Sequence, residues 1–266
     1  MHGPGLVCSK TVCMKTILLT SIHTFRTTAL VGAGGKTSLM FFLAHQLVAS
    51  GKTVITTTTT NILVPTKIQA PLTVLTETDP GLAGVKSDLT KLRHICVGSH
   101  IDGTTSKLKG IDDDKLAVCC QLADHVVVEA DGAAGRAIKA PESWEPAIPR
   151  NSDAVIFVLG LDCLGKPAYE DNIFRLNRFC EITGLKKGDT IGPEALATLA
   201  CHSNGGMKNV RKQNSFLVYL NKLDLLHEPF RLDQIEAAFT GACKSKRLFG
   251  LVAGSVRSEE FVDIPI

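Results

Sequence analysis

The chain has 266 residues, of which 44% are hydrophobic, and a formal net charge of +3 at pH 7. Its length and apolar content are enough for a large buried core in one or two domains. The nearly balanced charge and the aromatic content of 5% argue against nucleic-acid binding, and the lack of a long apolar run in the sequence argues against a membrane-spanning helix.

The N-terminal segment and the cysteines both favour a cytoplasmic protein. The apolar patch at 17–19 is short and is soon followed by His23 and Arg26, so we expect no signal peptide. The nine cysteines are irregularly spaced, with no C-x-x-C. This pattern predicts free thiols rather than a disulfide framework and gives no support to a zinc site. We predict one domain, with residues 1–26 as a peripheral segment.

Short apolar runs rich in β-branched residues alternate with segments of helical periodicity. Strands are predicted at 28–31, 53–57, 72–75, 94–97, 125–129, 154–159, 216–220 and 248–252. Helices are predicted at 37–50, 80–92, 112–122, 170–183, 193–201 and 232–243. The alternation predicts an α/β fold with a mainly parallel sheet covered on both faces.

A glycine-rich loop, GAGGKT at 32–37, joins the first predicted strand to the first predicted helix. Small residues let backbone N–H groups curl around a phosphate, and the start of a helix attracts anions. Lys36 would give the terminal phosphates a positive partner, and the hydroxyl of Thr37 would ligate Mg²⁺. The predicted nucleotide-binding residues here are Gly32, Ala33, Gly34, Gly35, Lys36, Thr37 and Ser38. The predicted fold class is therefore a three-layer, P-loop NTPase-like α/β fold.

The loop departs from the usual P-loop pattern, G-x-x-x-x-G-K-[ST], which would need a glycine at the position of Leu30. The spacing fits a shorter form, Gly32-x-x-Gly35-Lys36-Thr37, which is similar to the loops of the ATP-dependent Mur ligases. An ordinary glycine-rich turn with an exposed lysine is the alternative interpretation.

Five consecutive threonines, at 56–60, overlap the second predicted strand and its end. The carboxyl ends of parallel strands meet at the ligand-binding edge of a sheet, so the last hydroxyls would lie near the glycine loop. Thr57 and Thr58 are candidates to touch the nucleotide site, and Thr58 is a candidate catalytic residue. In the alternative, these are ordinary strand threonines that bond to the backbone.

The predicted strand at 125–129 runs into the sequence EADG, with carboxylates at Glu129 and Asp131. Residues two apart on a strand point to the same side. Both residues are predicted to be catalytic and to bind metal, because a carboxylate here can hold Mg²⁺ or orient an attacking water. A turn cap is the alternative for one of them. Arg136 and Lys139 follow, and could reach a phosphate or an acidic partner, or lie in solvent.

A second nucleotide motif, N-K-x-D, follows the predicted strand at 216–220 and comprises Asn221, Lys222 and Asp224. At the end of a strand this pattern is typical of the loop that reads guanine in GTPases. A strand-to-helix turn with Asp224 as an N-cap is the alternative. Two independent nucleotide motifs in one α/β chain support each other.

Together these stretches resemble the YqeC-type selenium-dependent hydroxylase accessory proteins. The resemblance rests on LVGAGGKTSLMFFLA, VITTTTTNI, VVVEADGAAGRAIKAP followed by EPAIP, VIFVLGLDCLG and LNKLDLL, in the family's order. The chain departs from the family at Asn61, where a lysine is frequent, and at Trp144, where a histidine often precedes Glu-Pro. The resemblance implies a cytoplasmic accessory protein whose partner is a molybdenum hydroxylase or its cofactor and selenium delivery machinery.

The order of motifs is also similar to that of the nickel-insertion GTPases of urease and hydrogenase. By this analogy we predict binding and slow hydrolysis of a nucleotide with Mg²⁺, with GTP favoured over ATP. One alternative is an ATP-dependent transferase or ligase with a Mur-like loop. Another is a cofactor-binding chaperone, and a homodimer is left open.

Overall fold

The computed structural model describes residues 16–79, 82–243 and 247–266. The strands are β1 (Thr27–Gly32), β2 (Val54–Thr58), β3 (Asn61–Leu63), β4 (Thr73–Leu75), β5 (His94–Gly98), β6 (Lys107–Lys109), β7 (His125–Glu129), β8 (Ile138–Lys139), β9 (Ala154–Gly160), β10 (Ile173–Phe174), β11 (Ser215–Asn221), β12 (Leu248–Ser255) and β13 (Glu260–Asp263). The helices are α1 (Ile17–Ser21), α2 (Lys36–Ala49), α3 (Val85–Leu92), α4 (Asp113–Leu122), α5 (Leu176–Thr183), α6 (Pro193–Cys201) and α7 (Leu232–Ala242). None of these helices is long and apolar enough to cross a membrane.

Nine strands form one sheet, in the order β13-β12-β11-β9-β1-β7-β2-β5-β4. Every neighbouring pair is parallel except β12 with β13. β1 lies in the middle, between β9 and β7. The carboxyl ends of β1, β2, β7 and β11 therefore meet along one edge, where a doubly covered parallel sheet binds its ligands.

The sheet is covered on both faces, which makes three layers. On β1, Leu30 packs with α1 and α2, whereas Ala29 and Val31 belong to the cluster formed with α5, α6 and α7. Val128 of β7, the register partner of Ala29, packs with α3 and α4 on that second face. All six residues of β1 are buried, as expected for a strand covered on both sides.

Local sequence signals explain several helix boundaries. The side chain of Asp112 accepts a hydrogen bond of 2.8 Å from the amide of Lys115 and so caps α4. Pro193 stands at the first position of α6, where its missing N–H costs nothing. Gly184 ends α5 in the left-handed conformation.

The predicted elements are confirmed in the large sheet, where all eight predicted strands are present. The main difference is α5, which begins at 176 and not at 170. The reason is that Ile173–Phe174 is extended and pairs with β8, a contact with a segment far away in the sequence. The antiparallel edge strand β13 and the small strands β3, β6, β8 and β10 were not predicted.

One sequence-based prediction needs correction. The described part of the N-terminal segment is not peripheral, because Leu18 and Ile22 are buried in the cluster that contains α2. The sequence did not predict the close approach of Cys201 and Cys243, whose side chains meet between the ends of α6 and α7. The other five cysteines of the described residues are free, and the cysteines at positions 8 and 13 lie outside them.

Candidate functional site

The glycine loop has a backbone shape that only glycine adopts easily. Gly32, Gly34 and Gly35 have φ angles of 90°, 85° and 118°, in the region that side chains disfavour. A side chain at Gly34 would overlap the backbone of Gly160, and one at Gly35 would overlap the amide group of Asn221. The loop is therefore pressed against two other strands, and its glycines are needed for that close approach.

The loop amides are not equally available to a phosphate. The amide of Gly32 donates to Asp131 Oδ2 at 3.0 Å, and that of Gly34 donates to the carbonyl of Arg136 at 3.0 Å. The Gly34 amide would have to leave the carbonyl of Arg136 to bind phosphate, so phosphate binding by Gly34 stays a prediction. The amides left to an anion are that of Gly35 and those of the first turn of α2, as is usual at a helix start.

Lys36 is buried, with 4% of its surface exposed. Its Nζ lies 2.6 Å from the carbonyl oxygen of Gly32, 3.0 Å from Asp131 Oδ1 and 3.8 Å from Glu129 Oε1. The interpretation of an exposed lysine on a plain turn is wrong. The structure brings Lys36 together with both predicted carboxylates, Glu129 and Asp131.

The two carboxylates have different surroundings. Asp131 accepts the Gly32 amide and pairs with Lys36 and Lys139, so it fixes the loop. Glu129 accepts a hydrogen bond of 2.6 Å from the hydroxyl of Thr37 and lines the open cleft. Burial raises the pKa of Glu129 above its usual range, although Lys36 and Thr37 act in the opposite direction.

Lys139 is fully buried and all three of its N–H donors have acceptors. Its Nζ lies 2.6 Å from the carbonyl of Gly132, 2.9 Å from Glu145 Oε1 and 3.3 Å from Asp131 Oδ2. Of the roles considered for Lys139, the acidic partner is the one found. Arg136, the other basic residue of this segment, lines the cleft.

The first three threonines of the run end strand β2, and their hydroxyls bond inside the sheet. The hydroxyl of Thr57 donates to the carbonyl of Val97 at 2.7 Å, and that of Thr58 to the carbonyl of Glu129 at 2.8 Å. The hydroxyl of Thr58 also accepts from the amide of Thr60. Both residues are buried, whereas Thr60 lines the cleft. A catalytic role for Thr58 stays a prediction, and its visible contact holds the backbone of Glu129.

The N-K-x-D motif reaches the glycine loop. The side-chain Nδ2 of Asn221 donates to the carbonyl of Gly34 at 2.7 Å, and its Oδ1 accepts from the hydroxyl of Tyr219 at 3.1 Å. Lys222 pairs with Asp162 at 2.8 Å, and Asp224 is exposed in a 3-10 turn after β11. The two motifs therefore meet at one edge of the sheet.

A cleft of about 830 Å³ opens at this edge. Its wall includes the first turn of α2, the segment 60–63, Glu129, the segment 132–136 and Lys222. The volume is in the range of small-ligand sites. Among the described residues, no group of three or more His, Cys, Asp or Glu could hold a metal, so a metal here would also need oxygens from a ligand or water.

Sequence reasoning missed Arg175 and Glu145, which also line the cleft. Glu145 is bound by Lys139, and Arg175 lies 3.9 Å from it. Neither residue belongs to a nucleotide motif, and each is brought to the cleft by a loop. The pairing of β8 with β10 places Arg175 at the cleft, and no periodicity in the sequence predicts this pairing.

Comparison with known proteins gives three findings. The family described as YqeC protein matches residues 28–177. The chain is 34% identical over 224 residues to protein YqeC of Escherichia coli (strain K12). The aligned region covers 80% of this chain and 86% of that protein. The crystal structure of FlhF complexed with GMPPNP/Mg²⁺ covers 90% of this chain and 70% of its own, with a TM-score of 0.42 and 12% identity.

Proposed function

The chain belongs to the YqeC protein family, and from the geometry of its site we propose that it binds a nucleoside triphosphate with Mg²⁺ and hydrolyses it slowly. One observation carries the proposal. A loop of three left-handed glycines leads into α2, with Lys36 and Thr37 in its first turn, at the edge of a cleft. Backbone amides, a lysine and a hydroxyl at a helix start are the groups that hold phosphates.

In the proposed complex, Lys36 leaves the carbonyl of Gly32 and binds the terminal phosphates. The amides of Gly35, Thr37 and Ser38 face the same charges. Asp131 holds the Gly32 amide and both lysines of the network, so its role is to position the loop. This division gives the two carboxylates separate tasks, although each was predicted as a metal ligand.

The residues at the cleft fit Mg²⁺. Thr37 and Glu129 offer a hydroxyl and a carboxylate 2.6 Å apart, and Mg²⁺ takes oxygen ligands, usually one or two carboxylates together with phosphates and water. When bound there, the ion would neutralise phosphate charge. Thr58 would support this arrangement through its bond to the carbonyl of Glu129.

For the base, we propose GTP ahead of ATP. The bond between Asn221 and Gly34 places the N-K-x-D motif beside the phosphate loop, as one bound nucleotide requires. The exposed carboxylate of Asp224 has two oxygens that can accept from the N1–H and the exocyclic amine of guanine. Adenine presents an acceptor at N1, which a carboxylate would repel.

A second candidate is an ATP-dependent transferase or ligase. The observation that favours it is that Asp224, unlike Lys222, is not among the described residues that line the cleft. The short, Mur-like loop agrees with that alternative. In such a reaction the terminal phosphate would pass to an acceptor and not to water.

The family also suggests a context. We propose that nucleotide turnover serves the maturation of selenium-dependent molybdenum hydroxylases in the cytoplasm, with a hydroxylase or its cofactor and selenium delivery machinery as the partner. This part rests on the family resemblance alone. A chaperone that binds the cofactor and keeps the nucleotide for structure is the corresponding alternative.

The deciding experiment is a calorimetric panel of GTP, GDP, ATP and ADP, each with and without Mg²⁺. We expect GTP to bind most tightly, and only triphosphate binding to depend strongly on Mg²⁺. Product analysis then separates free phosphate from a phosphorylated acceptor. Absence of binding by all four nucleotides would refute the proposal.

A further inference from the structure

Arg175 lines the same cleft as the glycine loop. It stands between β10 and α5 with a left-handed backbone, φ 70°, a conformation that is uncommon outside glycine and frequent at functional sites. Its guanidinium carbon lies 4.5 Å from the ring centre of Phe174 and 5.9 Å from that of Trp144. Two aromatic rings therefore lie beside the guanidinium, and neither of them can accept its N–H groups as a carboxylate or phosphate does.

Most of the hydrogen-bonding capacity of Arg175 is unused. An arginine has five N–H donors. Among the described residues its ion-pair partner is Glu145, at 3.9 Å between the nearest nitrogen and oxygen, which is too long for a hydrogen bond. Its Nε is buried and has no hydrogen-bond partner. Because buried N–H groups in folded proteins nearly always have acceptors, the side chain leaves part of its hydrogen-bonding capacity unmet in this arrangement.

Glu145 does not depend on Arg175. Its Oε1 lies 2.9 Å from the buried Nζ of Lys139, and its Oε2 accepts the amide of Glu142 at 3.1 Å. An anion arriving at Arg175 would therefore leave Glu145 paired. Lys139, in contrast, has an acceptor for each of its donors, so of the two cations beside Glu145 it is Arg175 that can bind a ligand.

We propose that Arg175 binds an oxyanion of the phosphate class in the cleft, beside the phosphates assigned to the glycine loop. The inference deepens the proposed nucleotide function and rests on it for the identity of that neighbour. A planar guanidinium matches two oxygens of a phosphate with two parallel N–H groups. The oxyanion is either the terminal phosphate of the nucleotide or the phosphate of a second ligand, and the two sources share this chemistry.

The test uses Trp144, the only tryptophan of the chain, which is 69% exposed and contacts Arg175. Its fluorescence is followed while inorganic pyrophosphate or GTP with Mg²⁺ is added, and calorimetry repeats the pyrophosphate titration without an optical probe. We expect saturable binding of pyrophosphate by the full chain. Arg175→Ala should weaken it about tenfold or more, as expected for loss of a charge-assisted bond. Arg175→Lys should fall between, because lysine lacks the planar fork.

Arg178→Ala is the matched control. Arg178 lies one helical turn further along α5 and pairs with Glu181 at 2.5 Å. Its Nε is also buried without a hydrogen-bond partner, but Arg178 is not among the described residues that line the cleft, so we expect wild-type affinity from this variant. Thermal melting of each variant checks that it is folded. Wild-type pyrophosphate affinity in both Arg175 variants, or no saturable binding by the unmodified chain, would overturn the proposal.

A further arm, Lys36→Met, separates the two sources. Retained pyrophosphate binding that still depends on Arg175 supports a second phosphorylated ligand. Joint loss of pyrophosphate and GTP binding in Lys36→Met, together with the loss in Arg175→Ala, supports the terminal phosphate of the nucleotide. The pyrophosphate titration needs no nucleotide. Failure of the full chain to bind GTP would therefore count against the proposed function, while the pyrophosphate affinities would still show whether Arg175 binds an oxyanion.

Discussion

Lys36 must exchange partners before it can hold a phosphate. Its Nζ contacts Asp131, Glu129 and the carbonyl of Gly32 in the interior of the molecule. A phosphate would compete with these groups for Lys36. The loss of stabilisation at Asp131 would be limited, because Asp131 keeps its ion pair with Lys139. The lysine therefore serves the stability of the loop as well as the ligand, which a surface lysine would not do.

Lys36→Met should lower both affinity and stability. We expect GTP affinity to fall about 100-fold, from the loss of charge-assisted bonds. The free energy of unfolding should fall by about 3 kcal/mol, at the low end of the range for a broken buried pair, since Lys139 still neutralises Asp131. Calorimetry and urea unfolding measure the two effects. The double variant Lys36→Met/Asp131→Asn should recover part of the stability and none of the affinity; recovery of affinity would contradict the assignment of Lys36.

Glu129→Gln should change the dependence of stability on pH. Burial raises the pKa of Glu129 above its reference value of 4.5, so the folded protein keeps this proton to higher pH than the unfolded chain. The stabilisation that comes from the protonated Glu129 is complete below the pKa that this group has in the unfolded chain, and it is lost as the pH rises through the pKa of the group in the folded protein. The glutamine variant should lack that loss and should unfold at a higher temperature than the parent at pH 7.

The same variant tests the metal assignment. Glu129→Gln should remove most of the effect of Mg²⁺ on GTP affinity, because a neutral amide is a poorer ligand than a carboxylate. Asp131→Asn, the matched control, should keep the Mg²⁺ effect and lose stability. The reverse pattern would exchange the roles of the two residues.

At the scale of elements, β2 ends where β7 ends, and the two are tied by a side chain. The hydroxyl of Thr58 donates to the carbonyl of Glu129 and accepts from the amide of Thr60. Thr58→Val would leave both groups without this partner, at a cost of about 1–3 kcal/mol. We expect a lower melting temperature together with slower GTP hydrolysis, because the position of Glu129 relaxes.

The control for that prediction is Thr57→Val. The hydroxyl of Thr57 makes one bond of the same kind, to Val97 of β5, on a strand that holds no predicted site residue. Thr57→Val should destabilise the protein less than Thr58→Val does, because one group and not two loses its partner, and it should leave hydrolysis unchanged. Equal hydrolysis by both variants would mean that Thr58 is only a strand residue.

The turn after β11 should determine the choice of base. A site built to satisfy hydrogen bonds can reject a ligand that leaves a polar group unpaired by roughly 10⁴-fold, so we expect a large preference of the unmodified chain for GTP over ATP. Asp224→Asn should weaken GTP and favour xanthosine triphosphate, whose base has an acceptor where guanine has the amine. Competition calorimetry gives both ratios. Tighter binding of ATP by the unmodified chain would make the ATP-dependent transferase or ligase the leading candidate.

Among the elements, the sheet could be predicted from the sequence and the contacts between its loops could not. The strand AVIFVLG is apolar throughout and HVVVE is apolar between its two end residues, and both are buried on both faces. The burial of Lys36 could not be inferred, since it depends on carboxylates more than 90 residues away. Arg175 was missed because its extended neighbours pair with β8 instead of continuing a helix.

At the scale of the whole molecule, the fold extends well beyond the part that matches the family. That match ends at residue 177, yet β11 adjoins β9 and carries Asn221 to the glycine loop. Phe216, Val218 and Leu220 of β11 are buried in the same cluster as β9 and α6. The C-terminal part is therefore as necessary to the sheet as the matched part.

A chain that ends at residue 213 should fail to fold cooperatively. It would lose three strands of the nine-stranded sheet and expose β9 as a long apolar edge, which is prone to aggregation. Size-exclusion chromatography and thermal melting test this, with the full chain as the control. A soluble fragment that binds GTP normally would show that the matched part is sufficient.

One hydrogen bond, from Asn221 to the carbonyl of Gly34, joins residues 187 positions apart in the sequence. Any coupling that it creates between ligand binding at the turn and ligand binding at the glycine loop must act equally in both directions. If occupancy at the turn after β11 changes the affinity of the glycine loop by some factor, occupancy of the loop must change affinity at the turn by the same factor. A macromolecule that bound this turn could thereby raise or lower the affinity of the glycine loop for phosphate without contacting the loop. In the same way, nucleotide binding at the glycine loop would change the affinity of the turn for that macromolecule through the side-chain amide of Asn221.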